Sequence, residues 1–166
     1  MGLDQLSERY AEHNRSERGA GFVFARPERE ALAEAAKLGL ETHWADLDQP
    51  LDFAEGGFDV VVAGELLEHL RDPQRVVREI RRVLRPGGTF VASVPNAYRL
   101  KGRFLFLLGR PPENDPTHLQ MFRPDDVRAL LAGFEQPKLH FVAGRLVPLH
   151  PRLFANDIVF SGRKPS

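Results

Sequence analysis

The sequence predicts an α/β fold: a mostly parallel sheet with an antiparallel hairpin at its C-terminal edge. Three observations carry that prediction. Short apolar runs alternate with helical segments over residues 1–95, the pattern of strand–helix–strand units. The run Phe58-Asp59-Val60-Val61-Val62-Ala63 is β-branched and nearly continuous, as in a parallel strand buried on both faces. Two late strand candidates, Lys138–Ala143 and Asn156–Ser161, have no helix predicted between them, which suggests an antiparallel pair.

The elements follow in order. Leu3 to Arg18 reads as a polar helix with few apolar anchors, Leu3, Leu6 and Tyr10, and Gly19-Ala20-Gly21 breaks it. Gly21 to Ala25 is short and apolar enough for a buried strand. Pro27 suits the first turn of a helix that ends before Gly39. Leu40 to Ala45 is a second strand, followed by the acidic turn Asp46-Leu47-Asp48. After the strand at Phe58–Ala63, Asp72-Pro73 starts a helix: Asp caps it and Pro fills its first position. Val76, Val77, Ile80, Val83 and Leu84 recur at helical spacing, with Arg75, Arg78, Arg81 and Arg82 mostly opposite. Arg85-Pro86-Gly87-Gly88 stops that helix, and Thr89 to Val94 is another strand. Arg99 to Arg110 mixes cations with an apolar core, Pro111 to Pro116 is a loop, and Pro124 to Leu131 is a helix ended by Gly133. The organisation reads as one domain over residues 1–166, with a polar helix over 1–20 and the sheet and helices over 21–166.

Composition narrows the function. The chain has 166 residues, enough for one domain with a real core, though short for a cofactor-binding α/β domain. Lys+Arg and Asp+Glu balance at 23 each, so charge gives no argument for a nucleic-acid partner. There are no cysteines, which excludes a disulfide scaffold, a thiolate metal site and a Cys nucleophile. The polar stretch Asp4–Arg18 is unlike a signal peptide, and no apolar run is long enough to span a bilayer. A cytoplasmic setting is the expectation.

Gly57-Phe58-Asp59-Val60-Val61-Val62-Ala63-Gly64-Glu65-Leu66-Leu67-Glu68-His69-Leu70 resembles the fourth strand and following turn of class I S-adenosylmethionine (SAM)-dependent methyltransferases. The resemblance continues through Asp72-Pro73 and Val83-Leu84-Arg85-Pro86-Gly87-Gly88-Thr89-Phe90-Val91. Downstream, Thr117-His118-Leu119-Gln120-Met121-Phe122 is similar to the family's His-to-Phe segment. The ubiquinone-pathway O-methyltransferases and their small-molecule relatives resemble it most, through Glu65, Glu68, His69 and the Thr117-His118 segment. The resemblance implies a Rossmann-like sheet and SAM as the methyl donor.

One departure stands beside the match. The family opens with a strand ending in an acidic, glycine-rich loop, where glycine lets the backbone approach the cofactor. No such motif is present, and the chain reads as shortened there. Gly19-Ala20-Gly21 has no strand before it. The strand that should end in a ribose-binding carboxylate ends Ala25-Arg26-Pro27, with Glu28 and Glu30 inside the next helix.

By resemblance, Asp46 accepts from the adenine amine and Leu47 packs on its ring, while Gly64 and Glu65 lie beside the methionine part. The plain alternative for Asp46 is a turn-former. Glu65, Glu68 and His69 fall at i, i+3 and i+4 and share a face on a helical turn. That face could hold a hard divalent cation, or His69 could act as general base. Alternatively Glu68 and His69 pair with neighbours and fix the turn. His118 is a second candidate base, or a His that caps its loop. His13, His43, His140 and His150 have no partner spacing and read as structural or exposed. Residues 99–110 read as a lid over an apolar acceptor, an interfacial helix at a membrane surface, or a helix packed on the sheet or a second subunit. The expected partner is a small molecule, with a homodimer as a further option.

Two functions remain at this point. One is SAM-dependent methyl transfer to a small molecule, at a hydroxyl of a phenolic or lipid-like compound. The other is a degenerate methyltransferase-like domain that binds or dimerises with weak or lost SAM affinity.

Overall fold

The computed structural model describes residues 21–24, 33, 35–112 and 115–166. The expectations placed on residues 1–20, Ala25-Arg26-Pro27, Glu28 and Glu30 lie outside the described residues. The chain divides into two compact units, residues 1–51 and 52–166.

In the first unit, β1 (Gly21–Phe24) and β2 (Glu41–Trp44) form a parallel ladder, with Gly21 opposite Glu41 and Phe24 opposite Trp44. Parallel neighbours require a crossover between them. Residues 35–37 are the helical end of that connection, and the chain turns out of it at Gly39, where φ is +77°.

The second unit is built on four strands in the order β3-β4-β6-β5. They are β3 (Phe58–Gly64), β4 (Leu84–Pro95), β5 (Glu135–Val142) and β6 (Asp157–Arg163). β3 and β4 run parallel, with Val61 opposite Phe90 and Gly64 opposite Ser93. β6 is antiparallel to both β4 and β5, so the C-terminal hairpin closes one edge as the sequence predicts. One correction concerns its connection: a four-residue helix, Pro151–Phe154, lies between β5 and β6. It is a single turn begun by a proline, too short to produce a helical period.

The helices α1 (Pro73–Val83), α2 (Leu100–Leu107), α3 (Pro124–Leu130) and α4 (Pro151–Phe154) connect these strands. α1 starts as its sequence dictates. Pro73 occupies the first turn and the Asp72 carboxylate accepts a hydrogen bond from Arg75 N–H at 2.9 Å. Replacing Asp72 by alanine is therefore expected to cost about 1 kcal/mol in a urea melt, the worth of an N-cap. α1 buries Val76, Val77, Ile80 and Val83. Leu84, expected on the same helical face, is instead the first residue of β4 and is fully buried there. The ladder thus begins before the Pro-Gly-Gly turn: Leu84 pairs with Phe58, a bulge follows, and Thr89 pairs with Val60. Gly88 permits this approach, since a Cβ there would lie 2.9 Å from Arg85 O and 3.0 Å from Asp59 O.

The core lies between this sheet and its helices. Phe90, Val94, Ile158 and Phe160 of β4 and β6 are fully buried, as is Val127 of α3. Phe90 packs edge-on against Phe160 at 6.0 Å and tilted against Phe134 at 5.7 Å between ring centroids. Among the described residues no helix is long and apolar enough to cross a membrane.

Candidate active site

The carboxyl ends of β3 and β4 carry the first part of the site. The β3 ladder holds through Gly64, and the chain then leaves the sheet at Glu65 with φ +48°. That left-handed conformation is costly for a residue with a side chain and persists where the surroundings enforce it. Ser93 of β4 does so. Glu65 N–H donates to both Ser93 O (3.2 Å) and Ser93 Oγ (3.1 Å), and Ser93 Oγ–H donates to Glu65 Oε1 at 2.6 Å. Gly64 and Glu65 are both exposed.

The second part is a 3₁₀ turn, Leu67–His69, against a later loop. Leu67 anchors the turn in the core and Glu68 follows it inward at 1% exposure. Glu68 carbonyl O accepts from Leu119 N (2.8 Å) and Gln120 N (3.0 Å), which fastens the turn to residues 117–120. Across that seam His69 Nδ1 lies 3.2 Å from Thr117 O and 3.1 Å from Thr117 Oγ1. Thr117 Oγ1–H donates to Asp115 Oδ1 at 2.6 Å, and Thr117 N–H donates to the same oxygen at 2.8 Å. These contacts determine the His69 tautomer. A carbonyl oxygen can only accept, and the Thr117 hydroxyl hydrogen is directed to Asp115. Nδ1 therefore carries the ring proton, and the lone pair of neutral His69 resides on Nε2.

Around Nε2 the groups converge. Glu68 Oε1 is 3.9 Å away, and the His118 ring stands edge-on to His69 with centroids 4.8 Å apart. His118 Nε2 is 3.6 Å from Asp115 Oδ2. The hydrogen bond from the Thr117 hydroxyl, helped by Thr117 N–H and by the two imidazoles, holds the Asp115 carboxyl below the usual carboxylate range.

The structure regroups the residues singled out in the sequence. Glu65, Glu68 and His69 do not share one helical face. Glu65 precedes the turn and is tied to Ser93, while Glu68 and His69 are joined instead by His118. In the first unit Asp46 is exposed, its Oδ1 accepts from Asp48 N–H at 2.9 Å, and Leu47 is 8% exposed. His43 pairs with Glu41 at 2.8 Å. Residues 99–110 contain α2, on which Leu100, Phe104, Phe106 and Leu107 are exposed, the last at 81%. α2 and α4 border an open, largely apolar cleft of about 490 Å³ lined by Leu100, Phe104, Leu153 and Phe154, with Arg99 and Lys101 at its rim. β4 ends and β6 begins beside it, with Pro95 opposite Asp157, so the cleft lies at the same sheet edge as Gly64 and Glu65. Ser93, Asp115 and the hydroxyl of Thr117 are site groups that the sequence reading did not assign. The Asp-x-Thr spacing, which favours a side-chain-bonded turn, was the available signal.

Within the second unit, the exposed carboxylate of Glu65 at the end of β3 is of the type that an α-ammonium would engage.

The family model described as "Methyltransferase domain" matches residues 9–92. The ubiquinone biosynthesis O-methyltransferase of Caulobacter sp. (strain K31) is 34% identical over 111 residues, 62% of this chain and 44% of that protein. The "Probable S-adenosylmethionine-dependent methyltransferase" of Mycolicibacterium smegmatis is 39% identical over 87 residues, 51% of this chain and 32% of that protein. The chain thus spans less than half the length of these two relatives. Among solved structures, a SAM-dependent methyltransferase of Thermotoga maritima superimposes with a TM-score of 0.69 at 18% identity, over 96% of this chain and 88% of its own. One from Archaeoglobus fulgidus gives 0.65 at 14% identity, over 98% and 93%. These two likenesses show the fold. The family match favours a methyltransferase over the degenerate binding module. Although the glycine-rich motif is missing, the chain belongs to the class I SAM-dependent methyltransferase family.

Proposed function

We propose that this domain transfers the methyl group of SAM to a hydroxyl of a small molecule, phenolic or lipid-like. The observation that carries the reading is His69. Its ring is oriented by Thr117 and Asp115, and its basic Nε2 is directed toward Glu68 and His118.

Bound SAM supplies an activated methyl on a sulfonium, so the protein has to align the acceptor and handle its proton. His69 Nε2 takes up the hydroxyl proton. The Glu68 carboxylate favours the imidazolium that results, and the Asp115–Thr117 chain keeps the ring from turning. His118 walls the same space and offers a second ring nitrogen. The apolar cleft beside α2 supports an acceptor with a substantial apolar part, and the exposed face of α2 supports contact with a lipid–water interface. Asp46, Leu47, Gly64 and Glu65 are assigned to the cofactor. Asp46→Ala is then expected to weaken SAM binding by about 1.5–3 kcal/mol, the worth of a hydrogen bond to a charged group. Equal affinity in calorimetry would remove Asp46 from the site.

The reading is tested by incubating the full chain with methyl-labelled SAM and a panel of alkyl-substituted catechols, single phenols, primary amines and carboxylic acids. Label in methyl ethers, strongest with the longer alkyl chains, is the expected result. Label in amines alone would overturn it.

A further inference from the structure

We propose that the open edge of β3 pairs with the same strand of a second copy of this chain, antiparallel and centred on Val61. β3 is the terminal strand of its four-stranded sheet, and among the described residues its ladder runs to β4 alone. Glu65 N–H donates to Ser93 O, and the direction of the backbone groups alternates along a strand. Val61 and Ala63 therefore turn their N–H and C=O groups toward β4, while Val60, Val62 and Gly64 turn theirs to the open side. The same three residues are exposed, Val60 at 41% and Val62 at 58%.

The two ends of this sheet are built differently. Charges, prolines and bulges on a free edge keep other strands from adding to it. β5, at the far end, carries all three. Glu135, Pro137 and Lys138 are exposed there, and the ladder to β6 shifts register between Glu135 and Lys138. β3 has no proline and no lysine. Its only charged residue is Asp59, whose carboxylate is ion-paired with Arg85 of β4. An unguarded edge with two exposed valines is a surface that accepts another strand.

The sequence of β3 fits its own copy. The strand runs from Phe58 to Gly64, so an antiparallel pair centred on Val61 uses its whole length. Val60 then lies opposite the partner's Val62, and both have outward-facing backbone groups, so the pair exchanges hydrogen bonds in both directions. Val61 meets its own counterpart in a non-hydrogen-bonded pair. The exposed valines of both copies gather on one face, where apolar cross-strand pairs stabilise a sheet. Asp59 falls opposite the partner's Ala63, so no two carboxylates are apposed. The contact is isologous and closes at two copies, because each open edge is consumed by the other. One strand on each side is a small interface, which makes the dimer reversible at roughly micromolar protein.

Sedimentation velocity of the full chain from about 1 to 100 μM is expected to show a monomer–dimer equilibrium. A monomer across that range overturns the pairing. Val62→Pro removes an N–H that β4 does not use, and proline is tolerated at such an edge position. It deletes one interchain hydrogen bond from each copy and should raise the dimer dissociation constant at least about tenfold. The double variant Val60→Lys, Val62→Lys sets like charges opposite one another and should weaken the dimer as much. It decides the matter if the proline variant does not fold. Dimers of unchanged affinity in the folded variants overturn β3 as the interface. The register is read with thiols, since the chain has no cysteine. Non-hydrogen-bonded antiparallel partners stand about 4.5 Å apart at Cα, within disulfide range. Val61→Cys should therefore form a covalent dimer under mild oxidation, and Val60→Cys, displaced along the strand from its own counterpart, should not. Equal cross-linking at both positions, or none at Val61, overturns the register.

Discussion

Replacing His69 by alanine is expected to lower methyl-transfer turnover by about 10²- to 10⁴-fold, the usual contribution of a positioned group that manages a proton. SAM affinity should remain nearly unchanged. The split follows from where the side chain points. Nδ1 is committed to Thr117, and Nε2 faces Glu68 and His118, neither of which is assigned to the cofactor. Single-turnover assays with calorimetry on the same preparation check both halves. A parallel fall in SAM affinity would mean that the ring supports the loop and not the reaction. Thr117→Val is a useful companion, because it removes the hydroxyl link to Asp115 while keeping the carbonyl on Nδ1. It should weaken turnover less than the loss of His69 itself.

Phe90→Ala is expected to destabilise the fold by about 3–5 kcal/mol, as for other buried aromatic truncations. Phe90 is fully buried at the centre of β4 and meets Phe134 from the approach to β5 and Phe160 from β6. Its removal leaves a cavity bordered by elements that the sheet holds in place, so little collapse can fill it. Against a typical domain stability of about 5–15 kcal/mol this is a large fraction. Urea denaturation followed by circular dichroism should show a lower midpoint with little change in slope. A cost below about 1 kcal/mol would mean that the aromatic cluster is loosely packed.

Much of the fold is legible in the sequence where one physical signal dominates. The β-branched run at Phe58–Ala63 and the amphipathic α1 with its Asp72 cap appear within a residue of their expected bounds. α4 was not legible, since one turn of helix at Pro151–Phe154 has no period to read. Leu84 was assigned to the wrong element because its spacing continues the helix, and only the ladder to Phe58 shows that it has become strand. The site was legible in its residues more than in its grouping. The helical spacing of Glu65, Glu68 and His69 suggested one face, but Glu65 takes a left-handed conformation that depends on Ser93, 28 residues away. The pairing of His69 with Thr117 and His118 depends on the seam at Glu68 O, a long-range contact that no local pattern encodes.

SAM and S-adenosylhomocysteine binding to the purified full chain, measured by isothermal titration, tests the methyltransferase reading most directly. Saturable binding of both at micromolar concentrations is the predicted result, weakened in Asp46→Ala and retained in His69→Ala. A cooperatively folded sample that binds neither would contradict it and leave a methyltransferase fold without methyltransferase chemistry.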